Sequence, residues 1–246
     1  MKRTWRGEDV VLPNVSYCKD NNLYYNPFVK PTSSYVAVDL GLPSGLLWAD
    51  RNVGATSPED AGLYFAWGDT VGYTAEQIDN EEHIFSKDTY WDWNSNTQSF
   101  IKYNDNDMLL QPEDDAATVH MGSDWRMPTK VDFEELINNT TFTLVDLQDN
   151  EYPIYDPYKA YNNLKCIKCT GSNGNSISFY PNGYDSPNFY MSWLNSLTGS
   201  SYNVAYYAYI TNVGISYDSD DGAVGRTELG WVWRYEGFPV RGVCNK

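Results

Sequence analysis

The stretch that most constrains this chain is Gly122-Ser-Asp-Trp-Arg-Met-Pro-Thr129, which runs straight into Lys130-Val-Asp-Phe-Glu-Glu-Leu-Ile-Asn-Asn139. Pro128 stops any helix arriving from its left. Thr129 is a strong N-cap, since its hydroxyl can accept an orphan N–H of the first helical turn. Asp132, three residues on, sits where a capping box places its carboxylate, although Asp reaches back less well than Glu. Val131, Phe133, Leu136 and Ile137 approximate one apolar stripe, with Glu134 and Glu135 turned to water. The spacing therefore predicts an amphipathic helix over 130–139. Trp125 and Met127 are expected to plug the core just before the cap. Arg126, between them, is expected to point the other way, towards a carboxylate or chain carbonyls.

The rest of the chain is mostly strands and turns. Residues 1–35 hold scattered aromatics and prolines and read as an extension packed on the main domain, with one strand at 8–12. Tyr35–Leu40 should open a sheet, Leu42–Gly45 should turn, and Leu46–Trp48 should return. Ala55–Ala61 reads as a loop or single helical turn, with Ser57 as cap and Pro58 at the first position. Leu63–Trp67 is apolar on both faces, a buried strand or core filler. Residues 70–110 are polar, aromatic and irregular, and their aromatic content favours an ordered loop. Pro112–Met121 reads as a second helix with carboxylates in its first turn. Further strands are expected at 141–145, 164–170 and 176–180, with Gly171-Ser-Asn-Gly174 as a hairpin turn. A pair is expected at 204–210 and 214–217, and 238–243 should close the sheet. The fold class is α+β: two helices against a mixed, mainly antiparallel sheet, with long loops covering it.

Several of these segments together resemble a known family. G-x-x-W-R-M-P-T-x-x-x-F-E-E-L over 122–136 resembles the hallmark of the major paralogous domain family first named from Fibrobacter and abundant in gut Bacteroidetes. Val38–Trp48, Asn52–Thr56, Tyr64–Asp69, Asp114–Ala117, Asn173–Ile177 and Gly237–Val243 extend the resemblance, in order, over 36–246. The resemblance implies a C-type-lectin-like or formylglycine-generating-enzyme-like fold in a surface or secreted module. Where that pattern has Tyr-Trp-Ser-Ser, this chain has Tyr190-Met-Ser-Trp193. Met191 then takes the core position, and Trp193 is expected to be exposed. The formylglycine-generating relatives use paired cysteines late in the chain. Here only Cys244 lies that late, so their activity does not carry over.

Charge narrows the partners. A net charge of −16 over 246 residues opposes nucleic acid and electrostatic docking to anionic membranes. No run of 18 apolar residues is present, so no membrane span is expected. Basic residues in Met1–Arg6 are not followed by an apolar stretch, so no signal peptide is read in the chain. An extracellular, cell-surface or phage-particle location then implies a trimmed signal or another route of export. Cys166 and Cys169 form a lone C-x-x-C without a second pair, which argues against zinc. In a strand they point to opposite faces, so they are not expected to bond each other.

No catalytic constellation emerges. His83 and His120 are the only histidines, and no Ser–His–Asp arrangement, H-E-x-x-H, P-loop or G-x-G-x-x-G occurs. Asp105, Asp107, Glu113 and Asp114 are the nearest approach to a calcium site, but lack EF-hand spacing; a solvated acidic loop is the default. No cofactor is expected. Aromatics make up 16% of the chain, and between Ser172 and Gly222 Asn, Ser, Tyr and Asp dominate. That mixture suits an adaptable recognition surface, although edge strands and turns favour the same residues. Gly230-Trp-Val-Trp-Arg-Tyr235 places Trp231, Trp233 and Tyr235 on one face of an extended segment. The candidate ligand contacts are Trp193, Asn195, Tyr202, Asn203, Trp231, Trp233 and Tyr235, and the expected partner is a protein or a glycan. The C-terminal location is similar to that in C-type-lectin-like variable proteins, whose codons a retroelement rewrites.

Overall fold

Short apolar runs broken by Gly, Pro, Asn and Asp dictate a chain of strands joined by turns. The structure is a computed structural model describing residues 2–5, 8–11, 35–106, 108–154, 163–181, 189–198, 201–211 and 226–246; in 2–5, 8–11, 189–191, 196–198, 201–202, 206, 208–211 and 226–231 it describes the backbone alone. The chain divides into two units, 1–32 and 33–246. In the first, β1 (Lys2–Trp5) and β2 (Glu8–Val11) pair antiparallel, Lys2 opposite Val11 and Trp5 opposite Glu8. β2 is the strand expected at 8–12.

The second unit begins with β3 (Ala37–Asp39) and β4 (Leu47–Asn52), followed by α1 (Ala75–Asp79), β5 (Trp93–Asn94) and β6 (Ser99–Phe100). A 3₁₀ turn at Pro112–Asp114 precedes α2 (Ala116–Met121), β7 (Trp125–Arg126), α3 (Lys130–Asn139), β8 (Thr140–Asp146) and β9 (Glu151–Pro153). Then come β10 (Leu164–Gly171), β11 (Ser176–Phe179), β12 (Phe189–Thr198), β13 (Ser201–Thr211), β14 (Arg226–Trp233) and β15 (Arg241–Cys244). These form sheets in the orders β3-β4-β15-β7, β11-β10-β8-β9 and β12-β13-β14, plus the small ribbon β5-β6. Every ladder between these strands is antiparallel. The α+β class holds, but among the described residues with three α-helices instead of two and several sheets instead of one.

The organising stretch is built as its residues dictate. The Thr129 hydroxyl accepts the Asp132 N–H at 3.2 Å, and the Asp132 carboxylate accepts the Thr129 N–H at 2.7 Å, completing the capping box. Arg126 forks onto the same carboxylate, at 2.6 and 3.2 Å. Burial alone would raise the Asp132 carboxyl, but the Arg126 and Thr129 hydrogen bonds overcome it and hold the pKa low. Phe133 and Leu136 are buried, with Ile137 against the same core. Val131 departs from the expected stripe: it is 71% exposed. As the second helical residue it lies beyond the edge of the face that Phe133 and Leu136 turn inward. Glu135 is not simply solvated, since it accepts the N–H and hydroxyl of Ser44 at 2.8 and 2.6 Å. Met127 is buried as expected. Trp125 is only half-buried, tilted against Tyr35 at 6.2 Å, because β7 is the edge strand of its sheet.

Other expectations need adjustment. Pro112–Met121 is not one helix. It breaks at Asp115, whose buried carboxylate caps α2 through the Thr118 N–H and also accepts the Met127 N–H. Of the loop or single helical turn expected at 55–61, the structure shows the loop. Within 70–110 there is a missed helix, α1, with its own Thr74–Gln77 capping box. The partner strand expected at 214–217 lies outside the described residues; β13 instead pairs with β12 and β14. Leu63–Trp67 is a core filler, bridged by Tyr64 to Tyr73 and by Phe65 to Phe238.

Cys166 and Cys169 are buried free thiols on opposite faces of β10. Cys169 Sγ donates to Thr140 Oγ1 at 3.1 Å, and burial pushes its pKa up to about 12. Gly171 shows why a Gly ends that strand: a Cβ there would collide with the Leu40 carbonyl.

Two main cores result. One, around Leu40, Trp48, Phe133, Leu144, Ile167 and Phe179, is sheet-built. The other, around Phe65, Trp67, Tyr103, Met127, Trp193 and Val240, is packed largely by irregular segments. A small third cluster, Ala66, Tyr90 and Phe100, carries Trp93 and Tyr235 on its flank.

Candidate functional site

The candidate site is the turn that follows β14. That turn sends residue 234 inward while the rings of 233 and 235 stack on each other. Arg234 is wholly buried, its guanidinium carbon 3.3 Å from the Phe100 ring centroid. It donates to the Tyr103 carbonyl at 2.6 Å and to Asp92 at 3.0 Å. Asp92, equally buried, accepts the backbone N–H groups of Ile101, Lys102 and Tyr103. Burial raises its carboxyl, and these hydrogen bonds with the Arg234 charge offset part of that rise. The Arg234 carbonyl accepts the Trp67 N–H at 2.9 Å, and the Glu236 N–H closes onto the Trp233 carbonyl at 3.0 Å. Gly237 follows because the Phe85 ring leaves no room for a Cβ.

The consequence is a turn nailed down at its second residue with aromatics on either side. Trp233 is 49% exposed. Its ring and that of Tyr235 are nearly parallel, 5° apart in plane, with centroids 6.0 Å apart. That separation is an offset stack, which leaves part of each ring face uncovered. Tyr235 is half-buried against the Tyr90–Phe100 cluster. Trp93 flanks the same cluster and carries Lys87 Nζ 3.8 Å from its ring centroid.

The seven residues expected to contact ligand are not brought together. Trp193 is overturned as an exposed anchor. It is 0% exposed, donates its indole N–H to the Phe65 carbonyl at 2.7 Å, and packs against Phe238 at 4.8 Å. Residues 193 and 195 thread between Pro239 and Pro128 through backbone hydrogen bonds, which draws this part of β12 into the core. Asn195 is overturned for the same reason: it is buried and donates to Asp115 at 3.0 Å. Asn203 is half-buried beside the site, its carbonyl accepting the Arg234 N–H. The side chains of Tyr202 and Trp231 lie outside the described residues. Trp233 and Tyr235 remain together on one face.

Sequence reasoning missed Arg234 and Asp92. The one available signal was a cation set between two aromatics, and nothing local pointed to a partner 142 residues earlier.

The other candidates have structural partners. Lys102 bridges Glu113, at 3.0 Å, and Asp114, which also accepts the Tyr103 hydroxyl at 2.6 Å. Asp107 lies outside the described residues, and among those described no group of three His, Cys, Asp or Glu side chains is placed to hold a metal ion. His83 stacks on Tyr73 at 3.6 Å. His120 lies 2.9 Å from the Thr70 carbonyl, its ring edge-on to Phe65. Among the described residues no helix is long and apolar enough to cross a membrane. Set against known proteins, the chain matches no family model, no curated protein and no solved structure.

Proposed function

We propose that this chain is a non-catalytic recognition module of C-type-lectin-like build, displayed on a cell surface, pilus tip or phage particle, which takes a protein or glycan on Trp233 and Tyr235. The observation that carries this reading is the anchored turn: a wholly buried Arg234, flanked in sequence by Trp233 and Tyr235, whose near-parallel rings stack with Trp233 half exposed. Aromatic side chains on fixed backbone lose little freedom on binding, and Trp and Tyr are enriched among residues that dominate contact energy. The antiparallel α+β build of 33–246 supports the lectin-like part of the reading, and the resemblance over 36–246 supports surface display.

The test is a glycan array with a surface-protein pull-down, run on wild type and the Trp233→Ala/Tyr235→Ala variant. Loss of a hot spot of about 2 kcal/mol weakens binding roughly thirtyfold. Equal binding by both proteins removes the site, and substrate turnover requiring His83 or Cys244 would replace the reading with an enzyme.

A further inference from the structure

Glu236 is the fourth residue of the anchored turn. Its N–H on the Trp233 carbonyl sets its Cα within about 7 Å of that of Trp233. The side chain is half-buried. Burial pushes its carboxyl up, and burial together with the Glu236 charge raises the Tyr235 phenol. A partly desolvated carboxylate gains from a cation. Arg234, two residues earlier and buried, already spends its charge on Asp92.

The same aromatic cluster accepts cations twice within the chain: Lys87 over Trp93 and Arg234 over Phe100. At net charge −16 the long-range field also draws positive groups. Arginine meets both demands at once, since its planar guanidinium stacks on aromatic faces and its N–H fork matches a carboxylate. Lysine, as a compact point charge, meets them less well. A neutral sugar would use the ring faces but leave the carboxylate without a counter-charge.

Resting on the recognition reading above, we infer that the ligand of this turn is a protein partner presenting an arginine side chain, its guanidinium stacked on Trp233 and donating to the Glu236 carboxylate.

The probe is the tripeptide acetyl-Gly-Arg-Gly-amide, compared with its citrulline analogue, which keeps the planar group and loses the charge. The readout is the Trp233 indole N–H resonance in heteronuclear NMR, identified by its absence in Trp233→Phe. The arginine peptide should shift that resonance saturably, and the citrulline peptide should bind at least about tenfold more weakly. Glu236→Gln should weaken the arginine peptide by about three- to tenfold while leaving the indole spectrum of the free protein in place. Equal binding of the two peptides, no shift with arginine, or an unchanged affinity in Glu236→Gln overturns the inference. Should Glu236→Gln disturb the fold, the two peptides on wild type decide alone. If methyl glycosides move Trp233 and arginine does not, the cationic ligand falls and the recognition surface stands. If no array or pull-down partner depends on Trp233 and Tyr235, the recognition reading falls with it.

Discussion

Around Phe133 and Leu144 the interior is apolar and framed by ladders, with the buried cation Arg241 over Phe179, whereas around Phe100 and Tyr103 it is framed by irregular backbone tied to the buried Arg234–Asp92 pair. The first region satisfies its backbone polar groups within its own strands. The second cannot, because the described residues of 85–110 make only the two-residue strands β5 and β6. Asp92 fills that gap by accepting three successive N–H groups, and Arg234 neutralises the charge this brings inside. A sheet distributes stability over many small apolar contacts. A loop core concentrates it in a few polar ones, each costly to leave unmade.

Asp92→Ala should break that contrast most sharply. It strands a buried guanidinium and three amides, at a cost of about 3–5 kcal/mol. Leu136→Ala in the apolar core should cost about 3 kcal/mol. Urea denaturation gives both totals, and hydrogen exchange separates them. Asp92→Ala should deprotect the amides of Ile101, Lys102 and Tyr103 below global unfolding, while Leu136→Ala should lower protection everywhere alike. Uniform deprotection in both variants would dissolve the distinction.

The loop core should also carry a pH signature. Burial lifts the Asp69 carboxyl from its ordinary 3.8 to about 6, the neighbouring Asp114 charge adding to the rise after its own turn N–H groups oppose it. The folded chain therefore holds a proton there that the unfolded chain releases. That contribution is complete below about pH 4 and is lost as pH rises through about 6. Asp132, held low by Arg126 and Thr129, behaves oppositely: its contribution is present above about pH 4 and is lost only as pH falls further. Asp69→Asn should thus gain on wild type by roughly 2 kcal/mol between pH 4 and pH 7.5. Melting curves across that range decide it; a pH-independent difference would refute it.

The smallest effects belong to α3. Thr129→Ala should cost about 1 kcal/mol through the lost cap, and Val131→Ala, on an exposed surface, should stay within about 0.5 kcal/mol. A larger loss at Val131 by chemical denaturation would put it back in the apolar stripe.

What was legible followed the reach of the signal. Thr129, Asp132 and Pro128 act within one turn, so the helix and its cap could be read directly. Strands β8, β10 and β11 announced themselves as strand-like segments between turns, the Gly171–Gly174 turn among them. Trp193 was misjudged because its burial depends on Phe65 and Phe238, which no local pattern links to it. The break at Asp115 was hidden for a like reason: that carboxylate serves α2, Met127 and Asn195 together. Half of the candidate site was visible, Trp233 and Tyr235 as aromatics sharing a face. The anchor between them was not, since a buried Arg looks in sequence like any surface Arg.

The strand order β3-β4-β15-β7 has a kinetic meaning. β4 and β7 each pair with β15, and β15 follows every other strand of the unit. A chain emerging from the ribosome therefore carries both as open edges, free to pair wrongly, until Arg241–Cys244 arrives. Closing so long a loop comes late and slowly. Pulse proteolysis of chains stalled before residue 238 reads that waiting state: cleavage within β4 should vanish once β15 is added.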